Sequence, residues 1–369
     1  MKKILSKIGG FFSELRRFLR KAGLTAGRIT SLIALMLVFS GLFYVYWAIG
    51  IYQPTLADPN VIHPALNNPS GSGSEGGSDI NPDLPPRKEG HFTFLIMGID
   101  TEANAADSIM YIALDVNDGQ ISVLHIPRDT YICTDSAYKR INAVYTFAER
   151  RGRTGARTSP ESIDAGARAL RDKVQETFGL IVDYYFAMNL RGFREIVDLV
   201  NGVEVNVPIN MRYSDPYQNP PIHINLNAGV QILDGRRAEQ FIRFREHPRG
   251  DIFRMENQAA FLTALFRRVM ERPADIPRVA QEGMNHVTTN MTLNDMIFFS
   301  MRIAEMPPEA IDNIIFRTIP TRSWRPFPGG PAYERITSRN AVMEMLEEYF
   351  NPYNFPIPIE WTNMITAAA

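Results

Sequence analysis

Between Ile29 and Tyr52 the chain runs for 24 residues without a charged side chain. At about 1.5 Å of rise per residue a helix of that length reaches roughly 36 Å, enough to cross a bilayer with some tilt. Phe43, Tyr44, Tyr46, Trp47 and Tyr52 gather at its far end, the place amphipathic rings take at headgroup depth. Residues 1–28 hold eight Lys or Arg against Glu14 alone, a charge of +7, whereas the remainder carries −8. This asymmetry predicts a cytoplasmic N-terminus and an extracytoplasmic C-terminal part in the cell membrane. The run exceeds the about 7–15 apolar residues of a cleaved signal peptide, so it predicts an uncleaved single-pass transmembrane helix with the lipid bilayer as a partner. Ile4, Ile8, Phe11, Phe12, Leu15, Phe18 and Leu19 fit either an amphipathic helix on the inner leaflet or a plain basic tail.

Residues 53–90 read as a disordered linker rich in Gly, Ser, Pro and Asn, and residues 352–369 as a C-terminal tail. From His91 to Asn351 there is enough Leu, Ile, Val, Phe and Met for one large core. Cys133 is the only cysteine, which excludes an intramolecular disulfide. Strand-like runs at His91–Met97, Met110–Val116, Ile121–Ile126, Asp183–Met188, Val203–Val207 and Ile314–Ile319 alternate with helical patterns. The helices are expected near Ile141–Arg151, Pro160–Phe178, Arg191–Val200, Arg236–Phe241, Arg254–Met270, Leu293–Ala304 and Ser338–Tyr349. Asn117-Asp118-Gly119 reads as a hairpin turn. The pattern predicts an α/β domain whose mixed central sheet carries helices on both faces.

Asp100 closes the first strand and Asp107 announces the next, so both carboxylates are expected at one sheet edge, where ligands bind in α/β folds. Together they suit Mg²⁺ or Mn²⁺; singly, each is an ordinary turn or capping residue. Pro127 halts sheet pairing and sets Arg128 on the rim, either as an anion ligand or as the partner of Asp129 or another rim carboxylate. Between Arg236 and Arg254 six arginines face only Glu239, Glu246 and Asp251. Guanidinium forks match phosphate oxygens bidentately, so the cluster is either an anion site or a solvated basic face. Arg243 and Arg245 share a face only in extended chain, so the helix is expected to end near Phe241. Asp234 reads as that helix's N-cap.

The order of motifs resembles the LytR-CpsA-Psr (LCP) family. The resemblance is carried by Gly98-Ile99-Asp100, Asp107-Ser108, Ile126-Pro127-Arg128-Asp129-Thr130, Arg140-Ile141-Asn142, Val182-Asp183-Tyr184-Tyr185, Leu233-Asp234-Gly235 and Arg243-Phe244-Arg245 with Asp251 and Arg254. It implies a phosphotransferase that moves a glycopolymer from a polyprenyl diphosphate carrier to a sugar hydroxyl of peptidoglycan. It also implies an apolar lipid cavity with the diphosphate at its mouth. Carried over, Asp100 and Asp107 hold the divalent cation and Arg128, Arg140, Arg243, Arg245 and Arg254 bind the diphosphate, with Asp107, Arg128 and Arg245 central to catalysis. The loop Thr101–Ala106 lacks the two arginines usual there, and Asn257-Gln258 stands where Arg-Gln is usual. A lipid pyrophosphatase and a non-catalytic binder of lipid-linked polymer are the alternatives. No nucleic acid is expected, because 28 cytoplasmic residues hold none of the usual DNA-binding modules.

Overall fold

The computed structural model describes Pro54 and residues 87–366 apart from 102–103, 135–138, 154–158, 218–220, 273–274 and 308. The basic segment, the expected transmembrane run Ile29–Tyr52 and linker residues 55–86 lie outside the described residues. No helix among the described residues is long and apolar enough to cross a membrane.

Three strands open the domain: β1 (His91–Asp100), β2 (Ala105–Asp115) and β3 (Gln120–His125). Helices α1 (Ile141–Arg151) and α2 (Pro160–Phe178) precede β4 (Tyr184–Asn189), which leads directly into α3 (Leu190–Leu199). Four short strands follow: β5 (Val203–Val207), β6 (Met211–Asp215), β7 (Ile222–Leu226) and β8 (Gly229–Leu233). Then come α4 (Gly235–Arg243), α5 (Asp251–Met270) and α6 (Ile276–Gly283). The chain continues through β9 (Thr288–Thr289), α7 (Leu293–Glu305) and α8 (Glu309–Asp312). It closes with β10 (Ile315–Thr318), β11 (Thr321–Trp324), β12 (Tyr333–Ile336) and α9 (Arg339–Tyr349).

The central sheet has six strands in the order β10-β3-β2-β1-β4-β9 and is mixed: β1 runs antiparallel to β2 and parallel to β4. β1 is apolar on both sides because both sides are covered. Leu95, Met97 and Ile99 enter a core shared with Tyr145 of α1, Leu170 of α2 and Leu346 of α9. Phe92 and Phe94 point the other way, their ring centroids 4.8 and 5.0 Å from that of Phe299 on α7. Truncating a side chain such as Leu95 to Ala removes a fully buried group and costs about 2–5 kcal/mol. A second core joins α3, α4 and α5 to the small ribbons β5–β8 and β6–β7.

Local chemistry explains the element ends. Ser159 caps α2 by accepting from the backbone N–H of Ser162, and Gly179 ends that helix at φ 70°. Asp234 caps α4, accepting from the Arg237 N–H at 2.8 Å, as the sequence leads one to expect.

β2 starts earlier than its composition indicates. Ala105, Ala106, Asp107 and Ser108 are weak strand formers, yet Asp100 pairs with Ala105 and draws them into the ladder. β6, β7, β8, β9, β11, β12, α6 and α8 have no counterpart in the sequence reading; all are short, and an alternation such as Ile222, Ile224, Leu226 is a weak signal over five residues. Arg87–Gly90 and residues 352–366, placed by sequence in the linker and tail, pack on the domain. Arg87 donates to Asp183, one N–O distance being 2.8 Å, while Tyr353, Ile357 and Met364 are buried.

Candidate active site

On the face of β1 opposite the α1/α2 core, Ile96, Gly98 and Asp100 follow one another at the strand period and form part of a cavity of about 540 Å³. Met110 of β2 and Met188 of β4 continue this floor. Leu190, Phe193 and Ile196 of α3 and Phe261, Leu262 and Leu265 of α5 form its apolar walls. Tyr213 and Ile222, from the β6–β7 ribbon, complete them. Polar groups also line it, among them Asp100, Asp107, Ser108, Arg243, Arg245 and Arg254.

Asp107 reaches the cavity through a β-bulge. Gly98 pairs with Ser108 and Ile99 with Ala106, so Asp107 has no partner across the ladder. The extra residue breaks the alternation, and Asp107 and Ser108, consecutive in sequence, both line the cavity. Asp107 therefore lies inside β2, a correction to its sequence placement ahead of the strand.

The arginines sort by position. α4 runs to Arg243, two residues beyond the expected end, and Phe244 is extended (φ −63°, ψ 127°) with its ring buried. Arg243 and Arg245 thus both reach the cavity lining. Glu239 accepts from Arg243 at 2.7 Å and stands 3.3 Å from Arg194 of α3. Asp251, at the start of α5, bridges Arg254 at 2.9 Å and Arg245 at 3.5 Å. The Arg254 side chain is 8% exposed and its Nε has no hydrogen-bond partner, so it presents an unused donor inside the domain. Arg128 joins the group through Asp107 at 2.8 Å and lies 3.7 Å from Asp129; Arg140 stands 3.2 Å from the other Asp129 oxygen. Neither Arg128 nor Arg140 lines the cavity itself. Arg237 donates to the Ile232 carbonyl, Arg249 pairs with Glu256 and Arg236 is exposed, all away from the cavity.

These charges share one field. Burial lowers the pKa of Arg245, and Arg128 and Arg243 push the same way against Asp251 and Asp107. The pKa of Arg128 is raised: burial opposes its charge, but Asp107, Asp129 and Asp251 outweigh it. A compact group of guanidinium charges held apart by carboxylates is poised to exchange carboxylate for phosphate oxygens.

In the segment without the two arginines, Asn104 is held by other groups. Asn104, buried at φ 53°, donates to the buried carboxylate of Glu149 on α1, and its carbonyl accepts from Thr146 at 2.7 Å. The β6–β7 wall has no counterpart in the sequence reading. The alternation Ile222, Ile224, Leu226 was the available signal for that wall.

The sequence model of the LytR_cpsA_psr family matches residues 66–325. The chain belongs to that family. Cell wall biosynthesis protein LcpA of Corynebacterium glutamicum is 29% identical over 240 residues, 61% of this chain and 44% of LcpA. The Polyisoprenyl-teichoic acid--peptidoglycan teichoic acid transferase TagU of Bacillus subtilis is 27% identical over 221 residues, 57% of this chain and 63% of TagU. The match thus spans less than two thirds of either relative. Among solved structures, B. subtilis TagV superimposes with a TM-score of 0.57 at 24% identity, covering 71% of this chain and 98% of TagV. TagT bound to LIIa-WTA gives 0.55 at 20% identity, covering 72% of this chain and 92% of TagT. These likenesses give this LytR_cpsA_psr protein the family's mixed α/β fold.

Proposed function

We propose that this protein is a membrane-anchored phosphotransferase that moves a glycopolymer from a polyprenyl diphosphate carrier to a sugar hydroxyl of peptidoglycan. The observation that carries this reading is a single cavity whose lining joins apolar side chains of α3 and α5 to Asp100, Asp107, Arg243, Arg245 and Arg254. A polyprenyl chain needs an apolar tunnel and its diphosphate needs guanidinium forks at the mouth. TagU carries in its name the transfer of teichoic acid to peptidoglycan, which supports the same reaction class here.

Two carboxylates and the buried, unpartnered Ser108 hydroxyl fit Mg²⁺ or Mn²⁺, which take one or two carboxylates and complete their shell with water and substrate phosphate. Among the described residues no group of three His, Cys, Asp or Glu forms a closed protein site. Asp100 and Asp107 would hold the ion, which when bound neutralises charge on the diphosphate. Arg243, Arg245 and Arg254 orient the diphosphate and offset the charge gathering on the leaving phosphate; Arg128 positions Asp107 and adds its own charge. The apolar walls exclude water and so favour transfer over hydrolysis.

The test is incubation of the purified full-length chain with a polyprenyl diphosphate-linked saccharide and peptidoglycan fragments. A sugar–phosphate–peptidoglycan diester is the expected product. Free saccharide phosphate alone would make the protein a lipid pyrophosphatase, and binding without turnover a carrier.

A further inference from the structure

We propose that Tyr131, Trp324 and Tyr333 form a glycan subsite beside the diphosphate rim, stacking a pyranose ring of the polymer or of its acceptor. The proposal deepens the transferase reading and rests on it for the kind of sugar. The Tyr131 ring lies 5.4 Å from Trp324 and 5.1 Å from Tyr333, both edge-on, and all three rings are half-buried. The family match ends at residue 325, so Tyr333 lies beyond it.

Backbone bonds fix the cluster to the rim. The Tyr131 N–H donates to the Glu334 carbonyl at 2.8 Å, and the Glu334 N–H donates to the Asp129 carbonyl at 2.9 Å. Arg140 donates to the Ala332 carbonyl at 2.9 Å and its guanidinium lies 5.5 Å from the centre of the Tyr333 ring. A continuous path of ion pairs, Asp107–Arg128–Asp129–Arg140, therefore leads from the cavity to the aromatic rings. With lipid in the cavity and diphosphate against its arginines, this flank lies within reach of a sugar attached to, or attacking, the phosphate.

The chemistry suits a sugar. A pyranose presents a face of C–H groups, slightly positive, that complements the negative face of an aromatic ring, while its hydroxyls need donors and acceptors around the edge. Arg140 and Arg335 supply donors, their guanidinium groups lying over the Tyr333 and Trp324 rings at 5.5 and 4.6 Å from the ring centres. The rings are already held by one another, so little rotamer freedom is lost on binding.

Calorimetric titration of the full-length chain in detergent tests this with three probes: a peptide-free peptidoglycan tetrasaccharide, N-acetylglucosamine 1-phosphate and phosphatidylglycerol vesicles. The first reports an acceptor sugar and the second a donor sugar. Trp324→Leu is expected to weaken whichever saccharide binds by about tenfold, while Trp324→Phe, which keeps an aromatic face, retains most of the affinity. If Trp324→Leu loses its near-ultraviolet dichroism, Tyr131→Leu carries the same expectation. No saccharide binding by the wild-type chain, equal affinities across the variants, or an effect on vesicles alone overturns the proposal. Polyprenyl diphosphate turnover is measured on the same samples. Saccharide binding without turnover defeats the transferase reading and leaves the subsite standing; turnover without saccharide binding does the reverse.

Discussion

Arg254 and Arg249 have the same formal charge and belong to one basic cluster, in which only Arg254 matches the family motif. Arg254 is buried against Asp251 with a donor unused, whereas Arg249 is half-exposed beside Glu256. Arg254→Ala should therefore weaken polyprenyl diphosphate binding by about 2–5 kcal/mol, and Arg249→Ala by less than about 1 kcal/mol. Lysine at 254 should restore only part, since it keeps the charge without the fork. Equal, salt-sensitive losses in a binding titration would reduce the cluster to a diffuse field. Asp107→Asn should weaken Mg²⁺ or Mn²⁺ binding and nearly abolish turnover with the circular dichroism unchanged, because an amide cannot balance the ion's charge. Full turnover in excess chelator would dismiss the metal role. His125 is buried on β3 with both ring nitrogens unpartnered, and burial lowers its pKa to about 4. The unfolded chain takes up that proton near pH 6.5, so this contribution to stability is complete above about pH 6.5 and declines as pH falls toward 4. His125→Phe should flatten the fall in Tm between pH 7 and pH 5; an unchanged slope would show that other groups set it.

Among the elements, the crossing of α3 and α4 decides where Arg243 stands. A Cβ on Gly235 would meet the Arg194 carbonyl oxygen at 2.3 Å, a backbone atom that cannot swing aside. The same contact region carries the Arg194–Glu239–Arg243 bridge. Gly235→Ala should push the two helices apart, cost about 1–3 kcal/mol of stability and weaken diphosphate binding as Arg243 shifts. A thermal melt and a binding titration check both parts, and a variant as stable as wild type would mean that the helices accommodate the methyl group. α1, α2 and α9 were legible within a residue, since each has a long apolar stripe and α2 and α9 begin at a Ser cap. The paired ribbons were not: β11 and β12 are four residues each, and their pairing is between segments rather than within one.

At the scale of the molecule, the site is assembled from β1, β2, β4, α3, α4 and α5, with the β6–β7 ribbon closing the wall. On the proposed reading the peptidoglycan acceptor lies outside the cytoplasm, and the basic segment before the long uncharged run predicts the same side, so a reporter fused after Ala369 should be active only there. A C-terminus cut by protease in inverted vesicles and protected in spheroplasts would refute that orientation. The sequence by itself determined the mixed α/β class, the long uncharged run with its basic flank, and the identities of the acids and arginines. These are local properties, written in periodicity, charge and motif order. Motif order already set Arg243, Arg245 and Arg254 apart from the other three arginines of the cluster; only the tertiary structure put these three on the cavity lining and left Arg128 and Arg140 off it, because that depends on what packs against each element. It alone brought both Asp107 and Ser108 to the cavity lining, since a bulge is a mismatch between two strands and neither strand records it. It also joined Tyr131 to Trp324 and Tyr333, residues far apart in the chain that meet where a hairpin hydrogen-bonds to the segment after Arg128.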